Sequence, residues 1–162
     1  MAGTGGELRS GAPAELWQAL VRESARAGGV ALDELQESYL VLVLLRYQGD
    51  DTLLARVQAL DWLDAFGLPP SARSDALRDV GDRCLLVAGL FPGLAERRRV
   101  SVDYFVDLGR GAWREVAACN RAGYAALFAQ LQEGYRGLVR TLEAMRGAPA
   151  GDWWRLPAAG RA

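Results

Sequence analysis

The chain has 162 residues, is 51% hydrophobic and 24% charged, and sets 19 basic side chains, every one an arginine, against 20 Asp and Glu. Histidine and lysine are both absent, which excludes a Ser-His-Asp triad, an imidazole zinc site, a Schiff-base amine and the lysine of a phosphate-binding loop. A formal net charge of −1 supplies no basic footprint for DNA or RNA, so nucleic acid is not an expected partner.

The length suits one domain with a self-sufficient core. Residues 1–11 are Gly-rich and small and read as a disordered lead-in to a helical domain over 12–146. They have neither the basic start nor the apolar stretch of a signal peptide. The most apolar run, Tyr39 to Leu45, is far shorter than the ~20 residues that cross a bilayer, so no membrane attachment is expected. Cys84 and Cys119 are too few for a disulfide framework and lie in apolar stretches, consistent with reduced thiols in a cytoplasmic protein.

A first helix is predicted from Pro13, which suits an opening turn, through Leu16, Trp17, Leu20 and Val21 to the stop at Gly28-Gly29. A second begins near Asp33 and carries Leu35, Tyr39, Leu42, Val43 and Arg46; it is apolar on nearly all sides and reads as the central helix. Asp50 or Asp51 is the expected cap of a third, with Leu53, Leu54, Val57, Leu60, Trp62 and Leu63, ending at Gly67-Leu68-Pro69-Pro70.

Ser71 or Ser74 is the expected cap of a fourth, through Leu77, Val80, Cys84, Leu85 and Val87, with a bend forced at Phe91-Pro92. Ser101 opens a fifth containing Tyr104, Phe105, Leu108, Trp113 and Val116, in which Gly109 and Gly111 suggest close helix contact or a kink. A sixth and longest helix is predicted from about Ala122 to Arg146. No segment alternates with period two, so the expected fold is all-α: a single-domain, partly orthogonal helical bundle of five to seven helices. Residues 147–162 read as a flexible tail in which Trp153-Trp154 must either fold back or dock elsewhere.

Three acidic pairs sit one turn apart: Asp61 with Asp64, Asp79 with Asp82, and Asp103 with Asp107. Such spacing can hold Mg²⁺ against phosphate, which makes Asp61, Asp64, Asp79 and Asp82 the metal candidates of a phosphohydrolase reading. The solvated face of an amphipathic helix explains the same spacing, and is the reading it favours.

Asp82 and Arg83 directly precede a strongly apolar stretch, while Asp103, Asp107, Arg110 and Arg114 set both signs among aromatic residues. This interleaving predicts a partly buried structural Asp–Arg network joining the fourth and fifth helices. Arg97-Arg98-Arg99 follows a helix end, where arginines satisfy free carbonyls; an anion or an acidic partner surface is the sharper alternative.

The stretch Asp79-Val80-Gly81-Asp82-Arg83-Cys84-Leu85-Leu86-Val87-Ala88-Gly89-Leu90-Phe91-Pro92 precedes Val102-Asp103-Tyr104-Phe105 and Gly109-Arg110. With Tyr39-Leu40-Val41 and Arg46-Tyr47, these residues make 35–120 resemble a group of uncharacterised small all-helical bacterial proteins. That likeness implies a helical fold and assigns no catalytic residue.

The leading expectation is a non-enzymatic helical interaction or regulatory domain of a bacterial cell, bound to a protein partner or to itself, with no cofactor. The alternatives are the carboxylate-dependent Mg²⁺ phosphohydrolase and a small-molecule sensor that takes an anionic or apolar ligand between helices.

Overall fold

The computed structural model describes residues 13–50 and 52–147. Among them are eight helices and no strand: α1 (Pro13–Ala27), α2 (Glu34–Tyr47), α3 (Gln58–Ala65), α4 (Pro70–Leu90), α5 (Gly93–Arg97), α6 (Val102–Ala118), α7 (Ala122–Glu133) and α8 (Tyr135–Arg146). The all-α class holds, and the count exceeds the expected five to seven. The turn after Phe91 is a helix of its own, and the long sixth helix is two. None of the described helices is long and apolar enough to cross a membrane. The lead-in 1–11, Asp51, and the tail from 148 with Trp153 and Trp154 lie outside the described residues.

Local chemistry sets several helix starts. Asp33 accepts from the Gln36 amide while the Gln36 side chain accepts from the Asp33 amide, a reciprocal capping box on α2. Ser101 accepts from the Tyr104 amide and caps α6. At α4 the expected serine cap is replaced by Pro69, with Pro70 in the first turn, where a missing N–H leaves nothing unsatisfied. Ser74 is instead buried and accepts from Asn120 Nδ2 at 2.9 Å.

The third helix starts later than its sequence suggests. Asp50 accepts from the Thr52 amide and hydroxyl, so its side chain closes a turn and the helix waits until Gln58. The single long helix expected over 122–146 breaks at Gly134, which ends α7 and precedes α8. The missing Cβ leaves room for the Gln36 side chain, and the chain changes partners there: α7 lies on α6, whereas α8 packs on α4 and α1.

The centre of the bundle is α4, not the second helix as its composition suggested. Every α4 residue from Val80 to Leu90 is buried, under α3, α6 and α8, whereas Leu42 of α2 is 58% exposed. Close approach of α4 and α6 depends on Gly81, where an added Cβ would collide with the Trp113 indole. Gly109 likewise marks close contact, lying against Tyr135 and Cys84 inside an unbroken α6.

Gly81→Ala is expected to lower unfolding free energy by roughly 1–3 kcal/mol, because a buried indole must move. Gly123→Ala, whose Cβ meets nothing within 4 Å, should raise it by about 0.5 kcal/mol. Urea denaturation of the two variants checks the contrast.

Candidate functional site

Asp82 is 1% exposed and sits midway along α4, where burial of a carboxyl demands donors. Two aromatic side chains supply them. The Tyr39 hydroxyl of α2 donates to Oδ1 at 2.6 Å, and the Trp113 indole of α6 donates to the same oxygen at 3.1 Å. Among the described residues no hydrogen bond reaches Oδ2. Tyr39 meets Trp113 and Phe128 edge to face, with centroids 5.3 and 5.7 Å apart, and Trp113 meets Tyr135 at 4.8 Å. Tyr135 in turn donates to the Gly81 carbonyl at 2.9 Å. Burial pushes the Asp82 carboxyl up to about 7, against the two hydrogen bonds, which favour the charged form.

The expected Asp–Arg network takes a different course. Asp82 pairs with no arginine within ion-pair distance among the described residues. Arg83, itself buried, instead reaches Asp61 of α3 at 3.6 Å and Asp79 of α4 at 3.9 Å. Asp79 also holds Arg46 of α2 at 3.0 Å, and Asp61 holds Arg56 at 3.1 Å. A relay of charges thus ties α2 and α3 to α4.

Asp103 and Asp107 both face Arg136 of α8, at 3.3 and 3.8 Å, on the exposed surface. Arg110 buries an Nε without a hydrogen-bond partner, and Arg114 is exposed; neither joins Asp82. The physical reason is direction: the α6 face toward α4 carries Phe105, Gly109, Ala112, Trp113 and Val116, leaving its charged residues elsewhere. Asp64 is exposed. Among the described residues no three His, Cys, Asp or Glu side chains gather into a group able to hold a metal ion. Cys84 is a buried free thiol held well above its ordinary range by burial, while Cys119, though it lies in an apolar stretch of sequence, is exposed at the end of α6.

Arg98 donates to the carbonyls of Leu54 and Arg56 at 3.0 and 3.1 Å, pinning the α5 corner to the turn before α3. Arg97 and Arg99 on either side are exposed and form no ion pair among the described residues. Arg99 has φ +56°, a left-handed conformation that glycine adopts at little cost and arginine at roughly 1–2 kcal/mol.

Helix α3 has an unusual distribution of polarity. Its inner face, at spacings of four and three, is Gln58, Trp62 and Ala65; the Gln58 amide is buried with neither end hydrogen-bonded. Its outer side carries Leu60 and Leu63, 57% and 65% exposed, continued by exposed Val57, Phe66 and Leu68. At the far end Arg73 donates to the Phe66 and Leu68 carbonyls and lies over the Phe66 ring.

Family models, curated proteins and solved structures give no match to this chain. Function must therefore be read from its own surfaces.

Tyr39 and Trp113 were legible only as apolar-face residues. The signal that would have found them is chemical: a buried Tyr and a buried Trp each need an acceptor, and Asp82 is the carboxylate inside the apolar stretch.

Folded Asp82 holds its proton up to about pH 7, whereas an exposed carboxyl releases it near 3.8. The native state therefore binds more protons in that interval, so stability should fall as pH rises from about 4 to about 7 and be level above. Asp82→Asn keeps an acceptor for Tyr39 and Trp113 and should abolish this slope in urea midpoints measured across pH. At pH 5 Asp82→Ala should cost about 1–3 kcal/mol for each stranded donor.

Proposed function

We propose that this chain is a non-enzymatic interaction domain that docks the outer face of α3 onto an amphipathic partner segment with acidic flanks. The observation that carries the reading is the exposure of Val57, Leu60, Leu63, Phe66 and Leu68 within a single short stretch. Isolated exposed leucines are ordinary, but five exposed large apolar side chains on and beside one short helix are favoured by contact with another apolar surface.

Charge supplies the partner's chemistry. Arg97 and Arg99 flank one end of the strip, where Arg98 anchors the corner, and Arg73 flanks the other. Carboxylates on the partner would meet guanidinium donors at both ends, while its apolar residues cover the leucines. Arg99 supports the same reading: a left-handed position filled by arginine rather than glycine retains a side chain at a cost in backbone energy.

A photo-crosslinker placed at position 63 in the source cell is expected to give one discrete adduct, whose linked segment is apolar with acidic neighbours. Leu60→Asp should abolish the adduct without altering the melting curve. Arg99→Gly should weaken it while raising stability by up to about 1 kcal/mol. No adduct, an adduct between two copies of the chain, or one indifferent to Leu60→Asp would overturn the proposal.

A further inference from the structure

A second feature lies on the other side of α4, away from the α3 strip. Helices α2, α4 and α7 enclose a half-open cavity of about 200 Å³, larger than the roughly 150 Å³ engineered cavity that accommodates benzene. Its walls are apolar and aromatic, with Val43, Leu127 and Phe128 among them. Its polar groups are few and sorted by depth. Asp82 lies at the floor, 1% exposed, with Oδ1 already engaged by Tyr39 and Trp113 and Oδ2 receiving no hydrogen bond among the described residues. Arg46 and Arg78 stand nearer the mouth, with side chains 42% and 24% exposed.

Guanidinium donors thus stand at the mouth and a carboxyl at the floor. Arg46 has a close partner in Asp79 at 3.0 Å, whereas the terminal nitrogens of Arg78 reach Asp75 and Asp79 only at 3.9 and 3.7 Å, with the Tyr124 side chain as a further neighbour. Arg78 therefore has donor capacity left for an anion. Asp82 follows it by one turn of α4, a rise of about 6 Å. A ring bearing polar groups at opposite ends would meet the guanidinium with one and the carboxyl with the other. The rim has a matching peculiarity: Leu42 and Tyr124, both lining the cavity, are among the exposed large apolar side chains, and a ring seated between α2 and α7 would cover them.

We propose that this cavity is a binding site for a small aromatic acid that carries a hydroxyl opposite its carboxylate. The carboxylate meets Arg78 and Arg46, the ring lies against Phe128 and Leu127, and the hydroxyl shares a hydrogen bond with Asp82 Oδ2. No bond is made or broken; the role is recognition. The site shares no residue with the α3 strip, so it is independent of the docking function.

Calorimetric titration of the full chain tests this with 4-hydroxybenzoate as probe, and with benzoate and phenol as comparators that each lack one polar end. Saturable 1:1 binding of 4-hydroxybenzoate is expected, with each comparator at least about tenfold weaker, since each leaves a buried polar group unmatched. Arg78→Gln should weaken 4-hydroxybenzoate to the level of phenol. Leu127→Trp, which fills the cavity from its half-buried wall, should remove binding of all three. Helical circular dichroism confirms that both variants are folded, and Leu60→Asp should leave the affinity unchanged. Absence of saturable 4-hydroxybenzoate binding, equal affinity for the three probes, or binding that survives Leu127→Trp in the folded variant would overturn the proposal.

Discussion

A carboxyl buried midway along a helix needs donors, and the arrangement of this bundle follows from how Asp82 meets that demand. Tyr39 and Trp113 arrive from α2 and α6 to hydrogen-bond one oxygen, so three helices are fixed in relative rotation by a single side chain. Apolar packing alone is non-directional and would tolerate several rotations of an amphipathic helix; a buried acceptor with two donors tolerates few. The aromatic rings then pack edge to face around the carboxyl, and Gly81 allows the indole close enough to donate.

The same carboxyl gives the molecule its polarity of purpose. Asp82 lines the bottom of a cleft whose mouth carries two arginines, while the next residue along the chain, Arg83, turns to a different face and ties down α3 through Asp61. Adjacent positions on a helix project about 100° apart, so Asp82 and Arg83 serve different faces of α4. One faces a cavity suited to a small molecule; the other supports the helix that displays an apolar strip.

Much of the fold was legible because helix signals are local. Asp33 and Ser101 cap helices where their positions suggest, and the glycine pair at 28 and 29 ends the first helix. The failures share a cause. Asp50 can cap either a helix or a turn, and the neighbouring Thr52 decided for the turn. The periodicity through 122–146 is continuous, so the break at Gly134 appears only once α7 and α8 have different neighbours. The second helix and α4 are both apolar on most sides, and composition could not choose which one the others surround.

For the site, the sequence marked Asp82 and Arg83 as notable because charges rarely precede an apolar run without partners, but it named the wrong partners for Asp82. Residues 82, 103, 107, 110 and 114 carry both signs along the chain, yet Asp103 and Asp107 meet Arg136 from a helix whose proximity no local pattern reveals. What the sequence determined by itself was helix, apolar stripe, cap and the list of missing chemistries, since these depend on residues within a turn or two of one another. Which donors satisfy a buried acid, which leucines remain in water and where a cavity opens were decided by tertiary structure, because each depends on the relative rotation of helices far apart in the chain.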